Sequence, residues 1–453
     1  MPAMIRRLRD FLAKPGLGPK LVKAVVGSAG LRLAGMFFGF LVGVQLARGL
    51  GVEGYGIYGL AMSIIALMSV VTEFGLPQLL TREVAAAQVK GDWGKVRGVL
   101  QWSARTVLLF SALTFVGCVV WLLATGKRLS DPLSVTLMAG LPLVALVSQG
   151  KLRCAALRGL QQIVKSQVPE TLLRPASFSI LLFAAVLVTP LFPAMAMGLG
   201  VVAAGISLLF SASMLRKSSP AEMRNAPVVL DVKQWRSSAL PMALTEGMRV
   251  FQAHLAVLML GALSTVSMVG LFRVASSMAV LIAFPLSLFT VVSASVIARL
   301  HAQEDHERLQ KLLSWLSLGM TASTFGLSLP FLLAGRPLLG MTFGQDFASS
   351  NSILLVLCLS NVLSGFFGTN AVLLNMTGHH VRVMRASWVS LAVIVVACPI
   401  LVMWMGGIGA ALASTIATLV WNIIMWRDAL ELLNLDASFI PLLKRSMGKR
   451  NGE

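Results

Sequence analysis

Apolar stretches of membrane-spanning length alternate with short polar gaps along almost the whole chain. A helix rises about 1.5 Å per residue, so about 20 mostly apolar residues cross a hydrocarbon core of about 30 Å. The pattern predicts twelve spans, at residues 24–50, 54–75, 102–125, 132–150, 168–189, 193–215, 238–263, 267–299, 310–335, 351–375, 384–404 and 406–427. Twelve helices use nearly all of the 453 residues, which leaves no room for a sizeable soluble domain.

Composition agrees. The chain is 57% apolar and 12% charged, with a mean hydropathy of +0.82. Soluble domains are roughly 45–50% apolar and about 25% charged.

The basic residues fall in alternate gaps. One set of gaps, with residues 1–23, 82–105, 151–174, 216–236, 299–311, 382–385 and 427–453, holds 31 of the 38 Lys and Arg. The other set holds only Lys127, Arg128 and Arg336. Arg32, Arg48, Arg249 and Arg273 lie within spans. Short loops rich in Lys and Arg stay on the cytoplasmic side, so both termini are expected there and the span number is even. The net charge of +20 and pI near 10.9 then reflect loops facing an anionic leaflet, and no nucleic-acid partner is expected. The N-terminus lacks a cleavable signal pattern, because a full-length span follows the basic stretch. Met4 to Ala13 reads as a basic amphipathic helix or a solvated tail.

The four cysteines, Cys118, Cys154, Cys358 and Cys398, are scattered without metal-ligand spacing or a disulfide framework. They read as small packing residues, and neither metal nor cofactor is expected.

The chain also repeats weakly. Leu50-Gly51 with Gly56-Ile57-Tyr58 is echoed by Leu260-Gly261 with Gly270-Leu271-Phe272. Leu157-Arg158-Gly159-Leu160-Gln161 is echoed by Asn375-Met376-Thr377-Gly378-His379. The offsets are 210, 214 and 219 residues. With six spans per half, the halves are parallel repeats about an axis along the membrane normal, an arrangement suited to alternating access. The expected organisation is a basic amphipathic N-terminus (1–23), an N-lobe (24–215), a cytoplasmic linker (216–237), a C-lobe (238–427) and a basic cytoplasmic tail (428–453).

Several motifs carry a family resemblance. The first outer turn reads Ala47-Arg48-Gly49-Leu50-Gly51-Val52-Glu53-Gly54-Tyr55-Gly56-Ile57-Tyr58. Phe74-Gly75-Leu76, Thr81-Arg82-Glu83 and Leu157-Arg158-Gly159-Leu160-Gln161 follow. The second half adds Leu260-Gly261, Val269-Gly270-Leu271-Phe272-Arg273-Val274-Ala275, Phe343-Gly344-Gln345-Asp346-Phe347 and Gly407-Ile408-Gly409-Ala410-Ala411. In order and spacing the chain resembles the O-antigen and exopolysaccharide repeat-unit flippases of the multidrug/oligosaccharidyl-lipid/polysaccharide exporter superfamily. The resemblance implies an all-α integral membrane fold with two pseudo-symmetric six-helix lobes around a central cavity. It implies a cargo of polyprenyl-pyrophosphate-linked oligosaccharide, moved from the inner to the outer leaflet of a bacterial inner membrane for lipopolysaccharide or exopolysaccharide synthesis. Membrane lipids, H+ or Na+ as coupling ion, and polysaccharide polymerase machinery are the implied partners. Phe272 stands where members often have Tyr.

Charged groups inside spans are costly and tend to face cavities. Glu246 and Arg249 are three apart on the seventh span and share a face, which Gln252 continues. The repeat offset makes Arg32 on the first span the near-equivalent of Glu246. Arg32 and Arg249 are the expected contacts for a pyrophosphate, because Arg gives a permanent bidentate fork. Gln252, Arg273 and Arg48 complete the substrate-binding set, although Arg273 and Arg48 also suit snorkelling near span ends. Glu246 is expected either to hold Arg249 by an ion pair or to exchange a proton or cation. Glu73 lies near a span boundary and is ambiguous. His254 reads as a hydrogen-bonded packing residue, His379 and His380 as solvated loop residues. Gly35, Gly39 and Gly43 form a row suited to close helix contact, and Pro241 and Pro285 are expected kinks.

No nucleophile motif, paired outer carboxylates or phosphate-cradling glycine loop is present, so no enzyme is expected. An ion-coupled multidrug exporter of the same fold is the near alternative. A membrane glycan polymerase or ligase would need a larger outer loop. A peptidoglycan-precursor flippase would be expected to have fourteen spans.

Overall fold

The computed structural model describes residues 17–124 and 131–441, with side chains from Gly27 onward except at positions 123, 224, 291, 292 and 295. The expected N-terminal helix at Met4–Ala13, Lys127 and Arg128, and the basic end of the tail lie outside the described residues.

Among the described residues there is no strand. The helices are α1 (Leu17–Glu73), α2 (Leu76–Lys90), α3 (Trp93–Ala124), α4 (Pro132–Gly159), α5 (Ile163–Val188), α6 (Pro193–Ser218), α7 (Val232–Leu263), α8 (Val266–Ile282), α9 (Phe284–Ala302), α10 (His306–Phe343), α11 (Asn351–Phe367), α12 (Asn370–Met376) and α13 (His380–Leu433). Eight of these, counting α11 with the short helical turn Gln345–Ser350 before it, are long and apolar enough to cross a membrane, and a ninth crossing results if α8 and α9, bent by 41° around Ala283, are taken together. Pro285 sits at the start of α9, so the bend expected from it is present, whereas α7 stays helical through Pro241. α7 is not among the eight, because Glu246, Arg249, Gln252 and His254 lower its hydropathy.

Two helices are too long for one crossing. α1 has 57 residues, and α13 has 54. At about 1.5 Å per residue each exceeds 80 Å, more than twice a hydrocarbon core. Each is broken at a glycine with a left-handed backbone, Gly51 (φ 66°, ψ −177°) and Gly406 (φ 53°, ψ −126°). The apolar pattern predicts span boundaries at these two places.

α2 departs from the apolar pattern, which predicts a basic gap at residues 82–105. Leu76, Leu79, Leu80, Glu83, Val84 and Ala87 are its buried residues. Their spacing is that of one helical face. Left-handed glycines bracket the helix, Gly75 before it and Gly91 after it. Of the glycine row on α1, Gly35 meets the carbonyl of Thr171 in a π turn of α5 (Val168–Leu173), while Gly39 faces open space.

Two compact units form. The first holds the chain up to Leu50 together with Ala61–Phe251; the second holds Gly51–Leu60 and the chain from Gln252 onward. In the first, α4 packs along α2 and α6, and a core of Leu76, Leu79, Leu80, Val96, Leu152 and Trp235 closes one end. Trp102 packs on Trp235 in a tilted pair with ring centroids 5.5 Å apart. In the second, α11 packs against α10 and α13. Beyond α13 the chain turns back and is tied to Gln310, which donates to the Asp436 carbonyl at 2.6 Å and accepts from the Asp436 amide at 2.8 Å. All four cysteines are buried and unbridged.

The repeat read from the motifs has a physical counterpart within the second unit. The backbone carbonyl of Val266 lies against Gly56, and that of Val52 lies against Gly270. Both pairs are related by an offset of 214, and Gly59 touches Arg273, its own mate at that offset. Reciprocal contacts of this kind are the mark of a local twofold.

Candidate functional site

A cavity of about 460 Å³ opens in the first unit. Its wall is built from four helices. Val70 and Glu73 come from α1, Pro77, Gln78 and Thr81 from α2, Lys151 and Arg158 from α4, and Glu246 and Arg249 from α7.

The turn between α1 and α2 shapes the cavity. Phe74 (φ 43°) and Gly75 (φ 69°) both have left-handed backbones, which end α1 and let α2 start within two residues. Gly75 is packed so closely on α7 that an added Cβ would lie 2.5 Å from the Ala243 amide nitrogen and 2.7 Å from the Ala239 carbonyl. Only glycine meets both demands at this position. Glu246 follows Ala243 by less than one turn, so the turn also sets where the α7 charges enter the wall.

Two ion pairs face the cavity. Glu73 is buried (5% exposed) and accepts from Lys151 Nζ at 2.6 Å and Ser148 Oγ at 3.3 Å. Glu246 takes both Nε (3.1 Å) and Nη2 of Arg249, and Gln78 Nε2 donates to it at 3.3 Å. The Arg249 side chain remains 68% exposed, so its other donors are open to a ligand. The two pairs interact electrostatically, Lys151 with Glu246 and Glu73 with Arg249. Arg158 is exposed and has no carboxylate partner among the described residues. Three cations and two carboxylates therefore line the cavity, which leaves positive charge in excess.

The sequence-predicted residues distribute as follows. Glu246 and Arg249 form the expected i, i+3 pair. Gln252, on the next turn, donates to Ser390 Oγ at 2.9 Å in the second unit. Arg32 is exposed on α1 and is not among the residues lining this cavity. Arg48 is exposed next to the Gly51 break, and Arg273 is half-buried against Gly59. His379 Nδ1 lies 3.1 Å from Thr377 Oγ1.

Sequence reasoning placed Lys151 in a loop and left Glu73 open, yet together they form the more buried pair. Thr81 and Arg158 belong to motifs that carried the family resemblance but were given no role there. Their place in motifs that carry the family resemblance was the available signal.

The apolar helices and the charged internal cavity define a multi-pass membrane protein. A family model described as "Polysaccharide biosynthesis protein" matches residues 21–301, and the chain belongs to that family. Stage V sporulation protein B of Bacillus subtilis (strain 168) is 30% identical over 157 residues. That match spans 33% of this chain and 30% of the relative, so less than a third of that protein is covered. The solved lipid II flippase MurJ, in an inward closed conformation, is similar with a TM-score of 0.70, at 14% identity over 90% of this chain and 87% of its own. An inward-facing multidrug resistance MATE family transporter of the MOP superfamily is similar with a TM-score of 0.67, at 14% identity over 87% of this chain and 96% of its own. These structures share the fold. One is a flippase and the other a transporter, the class of protein the motifs resemble.

Proposed function

We propose that this chain is a flippase that carries a polyprenyl-pyrophosphate-linked oligosaccharide from the inner to the outer leaflet of a bacterial inner membrane. The cationic excess of the cavity between α1, α2, α4 and α7 is the observation that carries this reading. A pyrophosphate is multiply charged and matches the forked donors of Arg249 and Arg158 and the point charge of Lys151. Glu246 and Glu73 hold two of these cations in place while the cargo is absent. Twelve spans follow if α1 and α13 each cross twice, at Gly51 and Gly406, and if α7 and the bent α8–α9 pair each cross once. Two six-helix lobes then alternate access to the cargo, and the Lys and Arg distribution supports cytoplasmic termini.

One observation favours a second reading. Glu73 is a buried carboxylate in the first unit, the kind of group an ion-coupled multidrug exporter would need.

The test is made in cells lacking the chain. Surface glycan and lipid-linked repeat units are measured after complementation with wild type or Arg249→Ala at matched membrane abundance. Loss of surface glycan with repeat units retained on the inner leaflet, unrescued by Arg249→Ala, is the expected result. Normal glycan with lowered drug tolerance would replace the flippase with the exporter.

A further inference from the structure

A second basic cavity lies on different helices. It encloses about 350 Å³ and is lined by Arg97 of α3, Arg216 and Ser219 at the end of α6, and Met223. The stretch that follows, residues 226–231, is extended and stitched down along α3. Arg97 Nη1 donates to the Ala226 carbonyl at 2.9 Å, and the Val229 amide donates to the Gly94 carbonyl at 3.2 Å. Lys95 Nζ reaches Asp231 at 3.5 Å. The backbone lies so close that a Cβ on Gly98 would sit 1.8 Å from the Val229 carbonyl.

With its backbone held inward, this stretch turns apolar side chains outward. Val228, Val229 and Leu230 are 41%, 46% and 57% exposed, in succession. Three consecutive exposed apolar residues are unfavourable in a loop facing water. Beside two guanidinium groups they have a consistent use. Apolar side chains enter the acyl boundary while cations meet phosphates at the headgroup level. The alternation of basic gaps along the chain places this loop on the anionic leaflet.

We propose that the Arg97–Arg216 cavity binds the phosphodiester of an anionic glycerophospholipid, with Val228–Leu230 seated against its acyl chains. Arg216 and Arg97 supply positive charge, Ser219 a hydroxyl, and Met223 an apolar wall for the glycerol end. The site shares no residue with the cavity assigned to the cargo.

The experiment uses the full-length purified protein. Retention of phosphatidylglycerol and of phosphatidylcholine is compared by native mass spectrometry. Wild type is expected to keep phosphatidylglycerol preferentially, and Arg216→Gln to lower that retention about five-fold, the effect of one basic residue at an anionic surface. Arg97→Gln/Arg216→Gln should lower it further, and Arg336→Gln, in the second unit, should leave it unchanged. Equal retention of the two lipids by wild type, or unchanged retention in both Arg216 variants, overturns the proposal. Displacement of the lipid by millimolar inorganic phosphate would reassign the site to free phosphate and also overturn it. Arg216 is exposed at a helix end, and melting of Arg216→Gln beside wild type separates lost lipid from lost fold. A photoactivatable phosphatidylglycerol on wild type gives an answer without any variant. Cross-links at residues 216–230 support the site, and cross-links confined elsewhere sink it. No arm involves the cargo, so failure here and failure of the flippase assay are separate results.

Discussion

Lys151→Met destabilises the protein by about 2–4 kcal/mol, and adding Glu73→Gln recovers most of that loss. Lys151 is the ion-pair partner of Glu73, which is 5% exposed and otherwise receives only the Ser148 hydroxyl. Methionine keeps the length and the apolar stem of lysine but removes the charge. A buried carboxylate without its cation bears its full desolvation penalty. The loss falls short of the limit for a wholly enclosed pair, because the Lys151 side chain is itself 39% exposed. Neutralising Glu73 removes the orphaned charge, so the double variant should approach wild type. Thermal unfolding of the four proteins in detergent, arranged as a double-mutant cycle, measures the coupling. A Lys151→Met protein that melts like wild type would mean that Glu73 is not held by this lysine. Glu246, the carboxylate that Arg249→Ala would leave behind, is 20% exposed and keeps the Gln78 amide, so that variant should cost less stability than Lys151→Met. Lost transport in Arg249→Ala at matched membrane abundance would therefore report on the cavity.

The second large effect is expected at Gly75→Ala, which should cost about 2–5 kcal/mol. A left-handed backbone alone costs an L-residue about 1–2 kcal/mol. The new methyl would also overlap the backbone of α7 at Ala239, Met242 and Ala243, all within 2.9 Å. No rotamer relieves a clash of backbone with Cβ, so α7 must shift, and Glu246 shifts with it away from Gln78. Gly91→Ala is the informative comparison. Gly91 has the same left-handed backbone (φ 69°, ψ 15°), yet its Cβ would meet nothing within 4 Å. It should lose only the conformational part, and melting temperatures of the two variants side by side separate strain from overlap. Equal losses would show that packing of Gly75 on α7 contributes nothing.

Much of the fold was legible because apolar run length is a local property. The boundaries near Gly51 and Gly406 could be read from where apolar runs stop, although both helices continue by hydrogen bonding on either side. α2 escaped because its amphipathic face sits in a stretch whose charge dominated the reading. In the site, Glu246 and Arg249 were legible because their pairing is set by helix geometry within one segment. Lys151 and Glu73 are 78 residues apart, and no local periodicity couples them. Lys151 follows the last residue of a predicted span by one, which was enough to assign it to a loop. Arg32 shows the converse limit. A repeat offset estimates depth in the membrane, but an error of one residue turns a side chain by about 100° around the helix. Depth without face could not place it in the cavity. Gln252 shares the stripe of Glu246 and Arg249 in sequence, but its amide is taken by Ser390.

The burial of Cys118, Cys154, Cys358 and Cys398 has a practical side. Thiol reagents act on exposed thiolates, and buried thiols in apolar surroundings are inert to them. The wild-type chain is thus chemically quiet toward water-soluble maleimides without removing a single native cysteine. A cysteine installed at the exposed positions 249 or 216 would be the reactive one in the molecule. Its labelling rate, with and without cargo lipid or phosphatidylglycerol, reads the occupancy of each cavity in the natural sequence background.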